Sequence, residues 1–181
     1  MNLSRCTTVG VAALLAASCG QAPQRILPPP RTGEHQVRNR PPAALSLSAA
    51  QFVANAGSID LFIINSSELA LQRSSNGRIR EFASMMIQAH KGTSAQLSLE
   101  GRRLNLLPSA TLLPKHQAML NALQQAQDFD STYRQQQRAI HAQALALHSN
   151  YAARGTSPTL RPVAAAIRPI IERHIRLLNY L

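Results

Sequence analysis

Ile79-Arg80-Glu81-Phe82-Ala83-Ser84-Met85-Met86-Ile87-Gln88-Ala89-His90 is the stretch on which the reading of this chain turns. At 100° per residue, Ile79, Ala83 and Met86 share one stripe, which continues through His90 and Thr93 to Leu97. The segment therefore reads as an amphipathic helix with a histidine where a core leucine would stand. Val163, Ile167, Ile170, His174, Leu178 and Leu181 form a second stripe near the C-terminus, again with an imidazole near its middle. Two such helices can bring their histidines into one interior, and facing helices of a bundle are where such folds hold metals.

The other elements follow from capping and breaking signals. Ser48-Ala49-Ala50-Gln51 is a capping box with Leu47 and Phe52 as its staple, opening a first helix from Ser48 to Ser74. Its Leu61-Phe62-Ile63-Ile64 segment is apolar all round, which predicts contacts on more than one side. Ser75-Asn76-Gly77 breaks it, and a second helix runs from Arg78 to Asn105. Pro114 suits the first turn of a short third helix to Gln127. Asp128 is a good N-cap for a fourth, which Gly155 terminates. Ser157-Pro158 opens the last helix, where Pro169 predicts a kink one turn before His174. No segment reads as a strand. The expected fold is all-α, with four long helices and one short one over residues 46–181.

The N-terminus reads as an address. Residues 1–19 combine Arg5, an apolar run from Val9 to Ala17 and small residues leading into Cys19, as a bacterial signal peptide does. Leu14-Leu15-Ala16-Ala17-Ser18-Cys19-Gly20 resembles a lipobox, although Ala16 stands where leucine is commoner. Lipidation at Cys19 would anchor the protein to a membrane, with cleavage by an ordinary signal peptidase as the alternative. The apolar run is too short to span a bilayer, which takes about 20 residues. Residues 20–45 hold six prolines and four arginines with almost no apolar periodicity, the composition of an extended tether. The expected location is the bacterial cell envelope, periplasmic and held at the outer membrane by lipid.

Charge and cysteine usage narrow the partners. The chain carries a formal +11, of which +7 lies from Ser46 onward. In an exported protein this suits anionic headgroups or another acidic envelope component better than nucleic acid, which needs basic runs with interleaved aromatics absent here. Cys6 leaves with the signal and Cys19 takes lipid, so no thiol remains to bind metal or attack a substrate.

In order, Phe82-Ala83-Ser84-Met85-Met86-Ile87-Gln88-Ala89-His90, Leu107-Pro108 with Lys115-His116-Gln117, Phe129-Asp130-Ser131-Thr132-Tyr133, the helix of His141, and Arg168-Pro169-Ile170-Ile171-Glu172-Arg173-His174 resemble the ferritin-like bacterial secreted family catalogued as domain of unknown function 4142. The resemblance covers residues 49–181 and implies an antiparallel four-helix ferritin-like bundle in the envelope. Members usually carry glutamate where this chain has Ile63, and aspartate where it has Ala89 and Ile140. His90, His141 and His174 remain. A di-iron carboxylate centre takes a glutamate from each of two helices and Glu-x-x-His from the other two. The chain has no Glu-x-x-His, so ferroxidase-type chemistry is not expected.

Two readings of the histidines compete. His90, His141 and His174, with Met86 one turn before His90, could hold a transition metal such as copper, zinc or iron. Alternatively, His90 and His174 bond to each other, to Tyr133 or to backbone carbonyls and simply orient the core, an account that the missing carboxylates favour. His116 shares an apolar face with Met119, Leu120 and Leu123 and reads as packed. Asp130 reads as support for the start of the fourth helix, with Tyr133 in the core. No Gly-x-Ser-x-Gly elbow, paired carboxylates or phosphate loop point to an enzyme. The first expectation is a non-catalytic binding or structural role at the membrane with a protein or acidic polymer as partner. The second is a metal-binding or metal-sensing bundle, which requires at least three histidines to converge.

Overall fold

The computed structural model describes residues 47–181, where five helices account for the regular structure. They are α1 (Ala49–Arg73), α2 (Gly77–Arg102), α3 (Pro114–Gln125), α4 (Phe129–Arg154) and α5 (Leu160–Leu178). The expected signal peptide, lipidation site Cys19 and tether lie outside the described residues.

The starting signals act as the sequence predicts. Ser48 and Gln51 close a capping box on α1, and Leu47 packs into the cluster that contains Phe52. Asp128 Oδ1 accepts from the Ser131 amide at 3.1 Å, while Asp130 occupies the first turn of α4, where its charge faces the helix dipole. Ser157 Oγ accepts from the Leu160 amide at 3.3 Å, so it caps α5 although the regular helix begins at Leu160.

The ends differ for local reasons. α2 stops at Arg102 because Asn105 adopts φ 54°, and the Leu106 and Asn105 amides donate back to the Gly101 and Arg102 carbonyls. This is a Schellman closure with asparagine in the left-handed position. Gly155 ends α4 with φ −59°, so its left-handed freedom is not what it supplies. A β-carbon there would fall 2.6 Å from the Tyr151 ring and carbonyl, and close approach is the reason for glycine. α5 runs on through Pro169 without a break in the helix. Its buried stripe uses Ile171, whereas Ile170 is exposed, shifting one position of the expected pattern onto the neighbouring isoleucine.

The four long helices form an antiparallel ring. Phe52, Val53 and Ala56 from the start of α1 cluster with Leu97 near the end of α2, Tyr151 at the end of α4, and Leu160 and Ala164 at the start of α5. Neighbours α1–α2, α2–α5, α5–α4 and α4–α1 therefore run in opposite directions. Since α2 ends where α4 also ends, the chain must travel the length of the bundle before α4 can begin. Residues 103–128, with α3, make that passage along α1. Arg73 secures the far end, donating to the carbonyls of Leu123, Gln124 and Ala126 and lying 4.7 Å over the Phe129 ring. Of Leu61 to Ile64, Phe62 and Ile63 are fully buried in the main cluster while Leu61 and Ile64 are half-buried, and α1 as a whole packs against α2, α3 and α4. The fold is the expected bundle with one extra short helix.

Candidate metal centre

Three of the long helices each turn one imidazole into the same part of the core. His90 from α2, His141 from α4 and His174 from α5 are buried, and their ring centroids lie 5.3–5.5 Å apart. One ring nitrogen of each lies within 4.8 Å of the other two. The helical periodicity explains the convergence. His90 follows Met86 and Ile79 on the buried stripe of α2, His141 follows Gln137, and His174 follows Ile167 and Ile171.

The partners of these rings decide where their lone pairs point. His90 Nδ1 lies 2.7 Å from Asp60 Oδ1, and the other oxygen of that carboxylate accepts from Thr93 Oγ1 at 3.1 Å. A carboxylate accepts, so Nδ1 carries a proton, and in the neutral ring Nε2 keeps the lone pair. His141 Nδ1 donates to the Gln137 carbonyl at 2.8 Å, which again leaves Nε2 as the donor toward a metal. His90 Nε2, His141 Nε2 and His174 Nδ1 are all buried without a hydrogen-bond partner. An unpaired buried polar atom costs about 1–3 kcal/mol, a cost that one ligand shared by the three rings would remove.

Electrostatics keep two of the rings ready to bind. Burial, then the neighbouring His90, pushes His141 down to about 3; burial, then His90 and Arg173, pushes His174 down to about 3. Both are neutral at physiological pH, the protonation state that ligates metal. Three nitrogens at the 4.8 Å limit stand about 2.8 Å from their centre, against about 2.0–2.1 Å for a zinc–imidazole bond. Roughly 0.7 Å of inward movement per ring closes the site, and the three histidines fit a transition-metal ion.

Among the described residues, His90 and His174 do not make the particular bonds named for the packed alternative. His90 bonds to Asp60 rather than to His174 or Tyr133, and Tyr133 OH instead pairs with Ser67 Oγ at 2.9 Å. His174 bonds to neither His90 nor Tyr133. Met86 is fully buried in the main apolar cluster one turn before His90. Ile63 and Ile140 are likewise buried, whereas Ala89 is half-buried and lines a surface cleft. The carboxylate beside the site comes instead from Asp60, one helical turn before Ile63.

Two further histidines, His116 and His148, are buried among the described residues. His116 is packed as predicted, its Nδ1 2.7 Å from Ser58 Oγ, which also accepts from the Leu113 amide. His148 is buried edge-on to Phe52 at 5.3 Å, and burial pushes it down to about 4, with Asp60 and His90 near enough to act on it in opposite directions.

The family described as Domain of unknown function (DUF4142) matches residues 35–181. The chain belongs to it. No curated protein sequence matches this member of the family. Among solved structures, CopM in the Cu(II)-bound form superposes with a TM-score of 0.64 at 18% identity, covering 75% of this chain and 96% of CopM. The Cu(I)-bound form gives 0.61 at 17% identity, over 74% and 94%. A DUF305 fragment from Deinococcus radiodurans gives 0.62 at 16% identity, over 72% and 92%. At these identities the likeness is one of fold.

Proposed function

We propose that this DUF4142 bundle is a non-catalytic metal-binding protein of the cell envelope, holding one transition-metal ion, copper foremost, on His90, His141 and His174. One observation carries the reading: three buried rings, each with an unpaired nitrogen, bring one nitrogen apiece within 4.8 Å of one another. Imidazole nitrogens suit copper, zinc, nickel and iron. Copper(I) is preferred because its single charge is balanced by the Asp60 carboxylate behind His90, which limits the cost of burying an ion. The likeness to CopM in copper-bound forms agrees with that preference. The envelope location rests on the signal and lipobox pattern ending at Cys19. The basic charge suits acidic polymers or lipid headgroups, but no feature of comparable specificity supports them as the main ligand.

Elemental analysis of the untagged protein, followed by competition titration with copper, zinc and iron, tests the reading. One ion per chain is expected, with binding lost in His90→Ala while the helical circular dichroism is retained. Unchanged affinity in that variant would contradict the assignment.

A further inference from the structure

We infer that the metal reaches this centre through a cleft between α2 and α5, with the Met85 thioether as first contact and His174 as the ligand that turns to receive it. The inference rests on the metal-binding reading. The cleft holds about 420 Å³ and is lined by Met85, Ala89, Pro169, Ile170, Arg173 and His174. Of the three converging rings, His174 alone lines it.

His174 is also the ring with no tether. Asp60 holds His90 and the Gln137 carbonyl holds His141, fixing tautomer and orientation. Among the described residues no hydrogen bond fixes His174, so packing alone sets the orientation of its imidazole between the cleft and the core. The backbone before it is loosened as well: Pro169 has no amide to donate to the Ala165 carbonyl one turn earlier.

Met85 stands at the mouth. It is half-buried and lines a second cleft, of about 400 Å³, with Glu81, Phe82 and Leu177. The two openings thus share this side chain along the α2–α5 seam. A thioether is a soft ligand that takes copper(I) and has little attraction for zinc. Arg173, exposed on the same cleft, repels a hydrated divalent cation. This combination favours a monovalent soft ion passed by ligand exchange. A copper–sulfur bond to Met85 forms as the delivering ligand leaves, and a copper–nitrogen bond to His174 then replaces it, with no change of oxidation state.

Stopped-flow loading of the full chain from copper(I) bicinchoninate, paired with equilibrium affinity, reads the route directly. Met85→Leu keeps the packing volume and should load copper(I) at least about tenfold more slowly with unchanged affinity, while zinc loading stays at the wild-type rate. Ala89→Leu narrows the cleft and should slow both ions, again with unchanged affinity. Wild-type loading rates in both variants would overturn the route while leaving the site standing. Affinity lost together with rate in Met85→Leu would overturn it too, by making Met85 a resident ligand. A wild-type protein that binds neither ion would overturn the route and the metal-binding reading together.

Discussion

Asp60 is the residue whose role changes the chemistry of the site. By accepting from His90 Nδ1 it fixes the tautomer and places a carboxylate behind the ligand. Asp60→Asn keeps the shape but removes the charge, and metal affinity should fall about 10- to 100-fold, the usual cost of losing such an outer partner. Competition titration of the variant against wild type checks this, and equal affinities would separate Asp60 from the site. The stripe of α2 made His90 legible in the sequence, and His174 lay on the stripe of α5. Asp60 was not legible from motif spacing, since the family resemblance directed attention to Ile63. A physical signal was present nonetheless. Asp60 is the lone acidic residue between Ala49 and Ser67, within a run that is mostly apolar, and a buried carboxylate requires a partner.

At the scale of elements, caps and breaks were legible because they depend on neighbours in sequence. Ser48 with Gln51, Asp128 and Ser157 each accept the amide that their spacing predicts. Contacts between distant segments were not legible, and the passage of residues 103–128 along α1 depends on them. Gly57 on α1 permits Pro108 to lie against the helix, since a β-carbon there would fall 2.5 Å from Pro108 Cβ. Gly57→Ala should push this segment away and cost about 1–3 kcal/mol, the usual range for overpacking. Urea denaturation measures the loss. A midpoint equal to wild type would mean that the crossing yields without cost. The Ser58–His116 pair one residue along ties the same segment to α1 from within, which is why a histidine that looked like packing is hydrogen-bonded.

For the molecule as a whole, the buried imidazoles link stability to pH. His116, His141, His148 and His174 are all lowered, with burial the leading cause in each. The unfolded chain therefore takes up protons first, from about pH 6.5 downward, while the folded rings remain neutral. Stability of the metal-free protein should be full above about pH 6.5 and fall progressively toward the values of about 3 to 4 for His141, His174 and His148. Urea midpoints at pH 7, 6 and 5 should decrease in that order. His148→Gln, which removes one of these buried rings without touching a proposed ligand, should flatten the trend; a pH-independent midpoint in wild type would refute the linkage.

The antiparallel arrangement makes the centre possible, because it sets α2, α4 and α5 around one interior and places Asp60 of α1 behind them. Anomalous diffraction at the copper edge, from crystals of the protein loaded with copper(I), tests this most directly. The account predicts one strong peak within about 2.0–2.1 Å of a nitrogen from each of His90, His141 and His174. Peaks confined to exposed side chains, with the three rings unmoved and no density between them, would contradict it.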